Sequence, residues 1–200
     1  MIIDYVDNLE LRDEDAKQYF NELRSLEYLA KGLSFLNAQV RKIESEVGDR
    51  LNKDQQVFMF GNAPALKGIP QDLVACAFHW YSVTACNYVR LVGWLVNGGD
   101  TAKANQYLQC VLPEVYVWRN KVGAHFARTS PSKKDTPADL TKSVMFPISF
   151  DDDAFYASSL VLGMTSRGKG SSSRKDMRWS LAHTHQKLAS RYWPDSGTVS

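Results

Sequence analysis

Between Pro70 and Gly99 the chain reads PQDLVACAFHWYSVTACNYVRLVGWLVNGG, with no proline after the first residue and apolar side chains on most sides of a helical wheel. Pro70 suits the first turn of a helix, where a missing N–H costs nothing, and Asn97, Gly98 and Gly99 are residues that end one. A helix that is apolar around most of its circumference has to be covered on most sides, so the remaining chain must be arranged around it. One stripe of this helix is more polar. At about 100° per residue, His79, Val83, Cys86, Asn87, Arg90 and Trp94 fall within about 100° of one another. Buried polar groups need partners. The stripe is therefore either a hydrogen-bonded packing seam with a satisfied core histidine, or a site lined by His79, Asn87 and Arg90.

The flanking segments supply the cover. From Arg12 to Gly48 there is no proline, and Tyr19, Leu23, Leu26, Leu29, Leu33, Leu36, Val40, Ile43 and Val47 recur at helical spacing, which predicts a long amphipathic helix. Asp13 to Asp15 suit its positive end. Asp100 or Thr101 caps a third helix running to about Ala127, with Pro113 as a kink or a new start. Met177 to Trp193 fits a last helix stopped by Pro194. Residues 49–70 read as a connector with one extended piece, QVFMF. Residues 143–162, SVMFPISFDDDAFYASSLVL, read as a small β-hairpin around an acidic turn, and 165–176 as a flexible basic loop. The expected fold is mainly α, a bundle of about four to five helices with one hairpin, in a single domain over residues 1–200.

With 200 residues and 44% hydrophobic side chains, one domain can bury a real core. No window approaches the roughly 18 apolar residues of a membrane span, and the first residues lack the pattern of a secretory leader, so the expectation is a cytoplasmic protein without membrane contact. Cys76, Cys86 and Cys110 form no C-x-x-C pair. They are expected to be reduced core thiols, with no zinc site and no cofactor motif. The net charge of +2 is unevenly spread: residues 1–60 hold twelve acids and eight bases, and residues 166–200 hold two acids and seven bases. Arg174, Lys175 and Arg178 beside Trp179, Tyr192 and Trp193 either form an RNA-binding surface or the basic, solvated side of an aromatic core.

The strongest chemical candidate is WRNKVGAHFAR, residues 118–128. It holds an arginine, an adjacent asparagine and a histidine: Arg119, Asn120 and His125. Histidine moves protons near neutral pH, and arginine stabilises charge on a phosphoryl group. On a regular helix Arg119 and His125 stand about 120° apart. They converge only if the helix ends or bends at Gly123, or if a second copy supplies the missing partner. The bland reading is that Arg119 favours the negative end of its helix and His125 caps the last carbonyls.

Arg119, Asn120 and His125 match the R-x(4-6)-H signature, with a polar residue after the arginine, and in this the chain resembles HEPN domains. The order of two long helices, the motif and a later basic helix is also similar. The resemblance implies a homodimer that cleaves RNA without a metal, with Arg119 and His125 from both chains in one cleft and Asn120 positioning the arginine or the phosphate. It also implies an antitoxin or regulatory partner and a toxin or host-defence setting. The alternative is a non-catalytic HEPN-like module that binds a nucleotide or a partner. A third reading, a hydrolase using Cys86 with His79, meets a geometric obstacle, because seven helical residues separate them by about 10 Å along the axis.

Overall fold

The computed structural model describes residues 18–51, 57–58, 66–126, 148–158 and 178–193. It is mainly helical. The elements in chain order are α1 (Phe20–Gly48), β1 (Val57–Phe58), α2 (Gln71–Val96), α3 (Thr101–Val111), α4 (Pro113–Phe126), β2 (Ile148–Asp151), β3 (Ala154–Ser158), β4 (Arg178–Ser180) and α5 (Leu181–Tyr192). The helix of 70–99 is α2, with Pro70 immediately before it and a left-handed pair, Gly98 and Gly99, after it. As its composition requires, it is the central helix. It packs against α1, α3 and α4, and Val74, Phe78, Tyr81, Ala85, Tyr88, Val89 and Val92 are buried along its length.

The close turn from α2 into α3 has a local cause at each end. Asp100 caps α3 by accepting from the N–H groups of Ala102 (2.9 Å) and Lys103 (3.0 Å). Higher up, a Cβ on Gly93 would stand 2.9 Å from the Tyr107 side chain, so the absent side chain is what lets the two helices lie this close. Leu112 leaves helical geometry and Pro113 starts α4, which makes the third expected helix two.

The expected hairpin is β2 and β3, joined by Asp152 and Asp153, both with positive φ (46° and 58°). Two left-handed residues form the tight turn whose twist suits a hairpin. The hairpin is the middle of a four-stranded antiparallel sheet in the order β1-β2-β3-β4. The extended piece expected in QVFMF supplies β1, which pairs Val57 with Phe150. The other edge corrects an expectation. Arg178–Ser180 is a strand and not the first turn of the last helix, because it pairs with β3 and thereby delivers Trp179 into the core. The Trp179 ring centroid lies 4.9 Å from Phe78 of α2 and 5.5 Å from Trp118 of α4. Helix α5 then starts at Leu181, with Ser180 as its N-cap.

The sheet is also tied to α1 through a buried acid. Glu44 is 1% exposed and accepts from the Phe155 N–H at 2.7 Å, while Arg41 holds its other oxygen at 2.9 Å. Arg41 also reaches the Asp153 carbonyl at 3.4 Å. Burial pushes the Glu44 pKa up, against the opposing pull of the Phe155 N–H and Arg41. Its folded pKa therefore lies above that of the unfolded chain, and its contribution to stability is present below about pH 4.3 and is lost as pH rises through the folded value. Glu44→Gln keeps an acceptor for Phe155 and removes this titration, so chemical denaturation from pH 3.5 to 7 should show wild type losing stability relative to the variant as pH rises. Glu44→Ala leaves the Phe155 N–H without its acceptor and is expected to cost about 1–3 kcal/mol.

Candidate functional site

Helix α4 is anchored by Val115 and Trp118, both buried, the latter against Trp179. The residue after Trp118 is Arg119, which is half-buried and donates from Nη1 to Asn120 Oδ1 at 3.0 Å. No carboxylate among the described residues forms an ion pair with it. The guanidinium therefore stands beside a neutral partner. The helix does not end at Gly123: α4 continues to Phe126. Glycine inside a helix costs only about 1 kcal/mol relative to alanine, which does not force a break. Within one chain, positions 119 and 125 stay about 120° apart around the axis and about 9 Å apart along it. A helix end at Gly123 is therefore not what brings the two positions together, and a second copy is the other route the sequence offered.

Arg119 and Arg90 of α2 both lie near enough to the Cys86 thiol to favour its ionisation, but burial outweighs them and pushes its pKa up to about 12. A thiol so protonated is a poor nucleophile, and His79 stands two turns away along α2. The hydrolase reading fails on both counts. Cys76 and Cys110, expected in the core, are exposed. Cys76 lies on the outward face of α2 between the exposed Leu73 and Trp80.

Of the proposed lining residues, Asn87 and Arg90 come together. Arg90 Nη2 donates to Asn87 Oδ1 at 3.4 Å. Both border a groove of about 460 Å³ closed by Glu22 and Leu29 of α1, Leu91 and Trp94 of α2, and Thr101 and Ala104 of α3. His79 is not in this groove. It is half-buried near the start of α2, its ring 5.5 Å from that of Trp80, and its carbonyl accepts from Ser82 Oγ. Glu22 and Thr101 belong to other helices and carried no signal in the sequence, because only packing brings them to Arg90.

The C-terminal aromatic residues are mainly structural. Trp179 and Tyr192 are buried, Tyr192 Oη is 2.8 Å from Tyr107 Oη, and Trp193 Nε1 donates to Tyr88 Oη at 2.9 Å. Arg178 lies over the Tyr156 ring at 3.7 Å and pairs with Asp151 at 2.7 Å. Arg174 and Lys175 lie outside the described residues. The two histidines of α5 diverge as their spacing requires: His183 meets Tyr156 Oη at 3.4 Å, and His185 Nδ1 meets Tyr81 Oη at 3.3 Å. No metal-binding cluster of His, Cys, Asp and Glu occurs among the described residues, and no described helix is long and apolar enough to cross a membrane. Compared with models of known families, with characterised proteins and with solved structures, the chain matches none.

Two measurements check this geometry. Burial holds the His185 pKa down to about 4. Its unfolded value is near 6.5, so the stability it gives is complete above that pH and is lost as pH falls towards the folded value, by about 1–3 kcal/mol in total once solvent screening of a partly exposed ring is allowed for. Wild type should therefore lose denaturant resistance between pH 7 and pH 5, and His185→Gln should lose less. In Ellman titration of the folded protein, Cys76 and Cys110 should react, and Cys86 only after denaturation. Three fast thiols would contradict the buried placement of Cys86.

Proposed function

We propose that the chain is a metal-independent endoribonuclease of HEPN type that acts as a homodimer, with Arg119 and His125 of both copies in one cleft. The observation that carries this reading is Arg119. Its guanidinium is half-buried, is oriented by Asn120 at 3.0 Å and has no carboxylate partner among the described residues, so none of these competes with an anion for it. It sits about one and two-thirds turns before His125 on the same helix. Since one copy does not bring positions 119 and 125 to the same side, a two-fold arrangement of α4 is what would complete the site.

In this reading a His125 imidazole takes the proton of a ribose 2′-hydroxyl as its oxygen attacks phosphorus. The P–O5′ bond breaks, and the 5′-oxygen is protonated by the second copy's imidazole. The products are a 2′,3′-cyclic phosphate and a 5′-hydroxyl. Arg119 stabilises the added charge on the phosphorane, and Asn120 holds Arg119 in place. No metal is needed for any of these steps. An antitoxin or regulatory partner, a cytoplasmic location and a host-defence setting belong to the same proposal.

A second reading is favoured by the same helix geometry. If the chain is monomeric, the separation of the two positions leaves a non-catalytic HEPN-like module that binds a nucleotide or a partner. Incubation with RNA in EDTA, beside Arg119→Ala and His125→Ala, decides between them. The expected result is cleavage to cyclic phosphate ends by a species that sediments as a dimer, reduced about 100-fold or more in either variant. Absence of cleavage, or equal cleavage by all three proteins, would sink the enzymatic reading.

A further inference from the structure

Helix α1 turns Leu23, Leu26, Ala30, Leu33, Val40, Ile43 and Val47 to the core. Its opposite face is unusual for a side left to solvent. Phe20, Arg24, Tyr28, Lys31, Phe35, Ala38 and Lys42 fall within about 80° of one another on the helix. Aromatic and basic residues alternate along this face, and no acid stands among them. The rings are open: Phe20 is 47% exposed, Tyr28 63% and Phe35 64%. Single exposed rings are ordinary, but three aligned on one face form a patch that marks an interaction surface.

We propose that this face binds a single strand of nucleic acid, with bases stacked on Tyr28 and Phe35 and phosphates met by Arg24, Lys31 and Lys42. Phe20 and Tyr28 are about 12 Å apart along the axis and Tyr28 and Phe35 about 10 Å. Each interval is close to three steps of a stacked strand, at about 3.4 Å per nucleotide. A cation lies within each interval. Arg24 donates to Tyr28 Oη at 3.2 Å and stands 5.9 Å from the centre of its ring, which fixes the phenol and its neighbouring charge as a unit. Aromatic platforms alternating with backbone-binding cations are what sequence-tolerant single-strand binding requires.

Charge decides against the competing occupants. A second copy packed through this face in parallel would set Arg24 on Arg24 and Lys31 on Lys31, and an antiparallel copy centred on the stripe would set Lys31 on Lys31, with no acid between Phe20 and Lys42 on the face to compensate. A bilayer surface is better served by a continuous aliphatic face than by rings about 10 Å apart with cations between them. Two acids border the stripe: Glu46, one turn beyond Lys42, is held by Arg50, and Glu27 pairs with Lys31 at 2.6 Å, a bond that holds the Glu27 carboxyl below the usual range. A strand must compete with Glu27 for Lys31, so removing that carboxylate should strengthen binding.

The proposal does not rest on the Arg119–His125 reading, and its test is kept separate by a ligand without a 2′-hydroxyl. A fluorescein-labelled oligothymidylate of twelve nucleotides is titrated with the whole chain and followed by anisotropy, with circular dichroism to check that each variant is folded. Tyr28→Ala and Phe35→Ala should each weaken binding about fivefold or more. Arg24→Ala with Lys31→Ala should flatten the dependence of log K on log salt by about 1.4. Glu27→Gln should tighten binding. No binding by wild type, equal binding by folded aromatic variants, or binding to phosphatidylserine vesicles in place of the oligonucleotide would overturn the proposal. So would a Tyr28-dependent dimer that ignores the oligonucleotide.

Discussion

The architecture follows from the inability of α2 to face water on more than a narrow strip. A helix of 26 residues with Phe78, Tyr81, Tyr88 and Val92 fully buried demands apolar neighbours on nearly every side. Burying such side chains is worth about 1.5–3 kcal/mol each, so covering this helix is the main driving force for folding. Helices α1, α3 and α4 meet that demand on three sides. The rest is met by large rings from the C-terminal elements, with Trp179 against Phe78 and Tyr192 against Tyr88.

The sheet is held to this bundle by two attachments of different kinds. Trp179 projects from β4 into the gap between α2 and α4, an apolar anchor. Glu44 reaches from α1 to the Phe155 N–H, a polar one. A short sheet on its own is marginally stable, so it depends on both. The polar attachment costs desolvation of a carboxylate and is tolerated because Phe155 and Arg41 satisfy it.

Two arginines on the polar side of this bundle have neutral partners, Arg119 beside Asn120 and Arg90 beside Asn87. Both were legible in the sequence, one in the WRNKVGAH stretch and the other in the polar stripe of α2. The groove at Arg90 was not legible as a groove, since Glu22 and Thr101 are brought to it by packing. Nor was the status of the thiols. Cys76, Cys86 and Cys110 look alike as letters, yet only Cys86 is buried, because only it turns towards the core of the bundle. The continuity of α4 through Gly123 was open in the sequence and was decided by the modest helical cost of glycine.

By itself the sequence determined what depends on neighbours along the chain. The apolar period of α1, the mostly apolar α2, a cap at Asp100 or Thr101, a kink or restart at Pro113 and the acidic turn between β2 and β3 all express preferences of a few consecutive residues. Tertiary structure alone decided what depends on distant residues. Arg178–Ser180 became a strand because β3 offered hydrogen bonds and the core offered Trp179 a place. Glu44 sits at core spacing with Val40, Ile43 and Val47, a pattern that marks the position as buried. Which backbone N–H it would meet could not be read locally, since that partner lies 111 residues further along the chain. Helical order is a property of local hydrogen bonding, and strand pairing and buried polar contacts are properties of chain segments that meet only in the folded state.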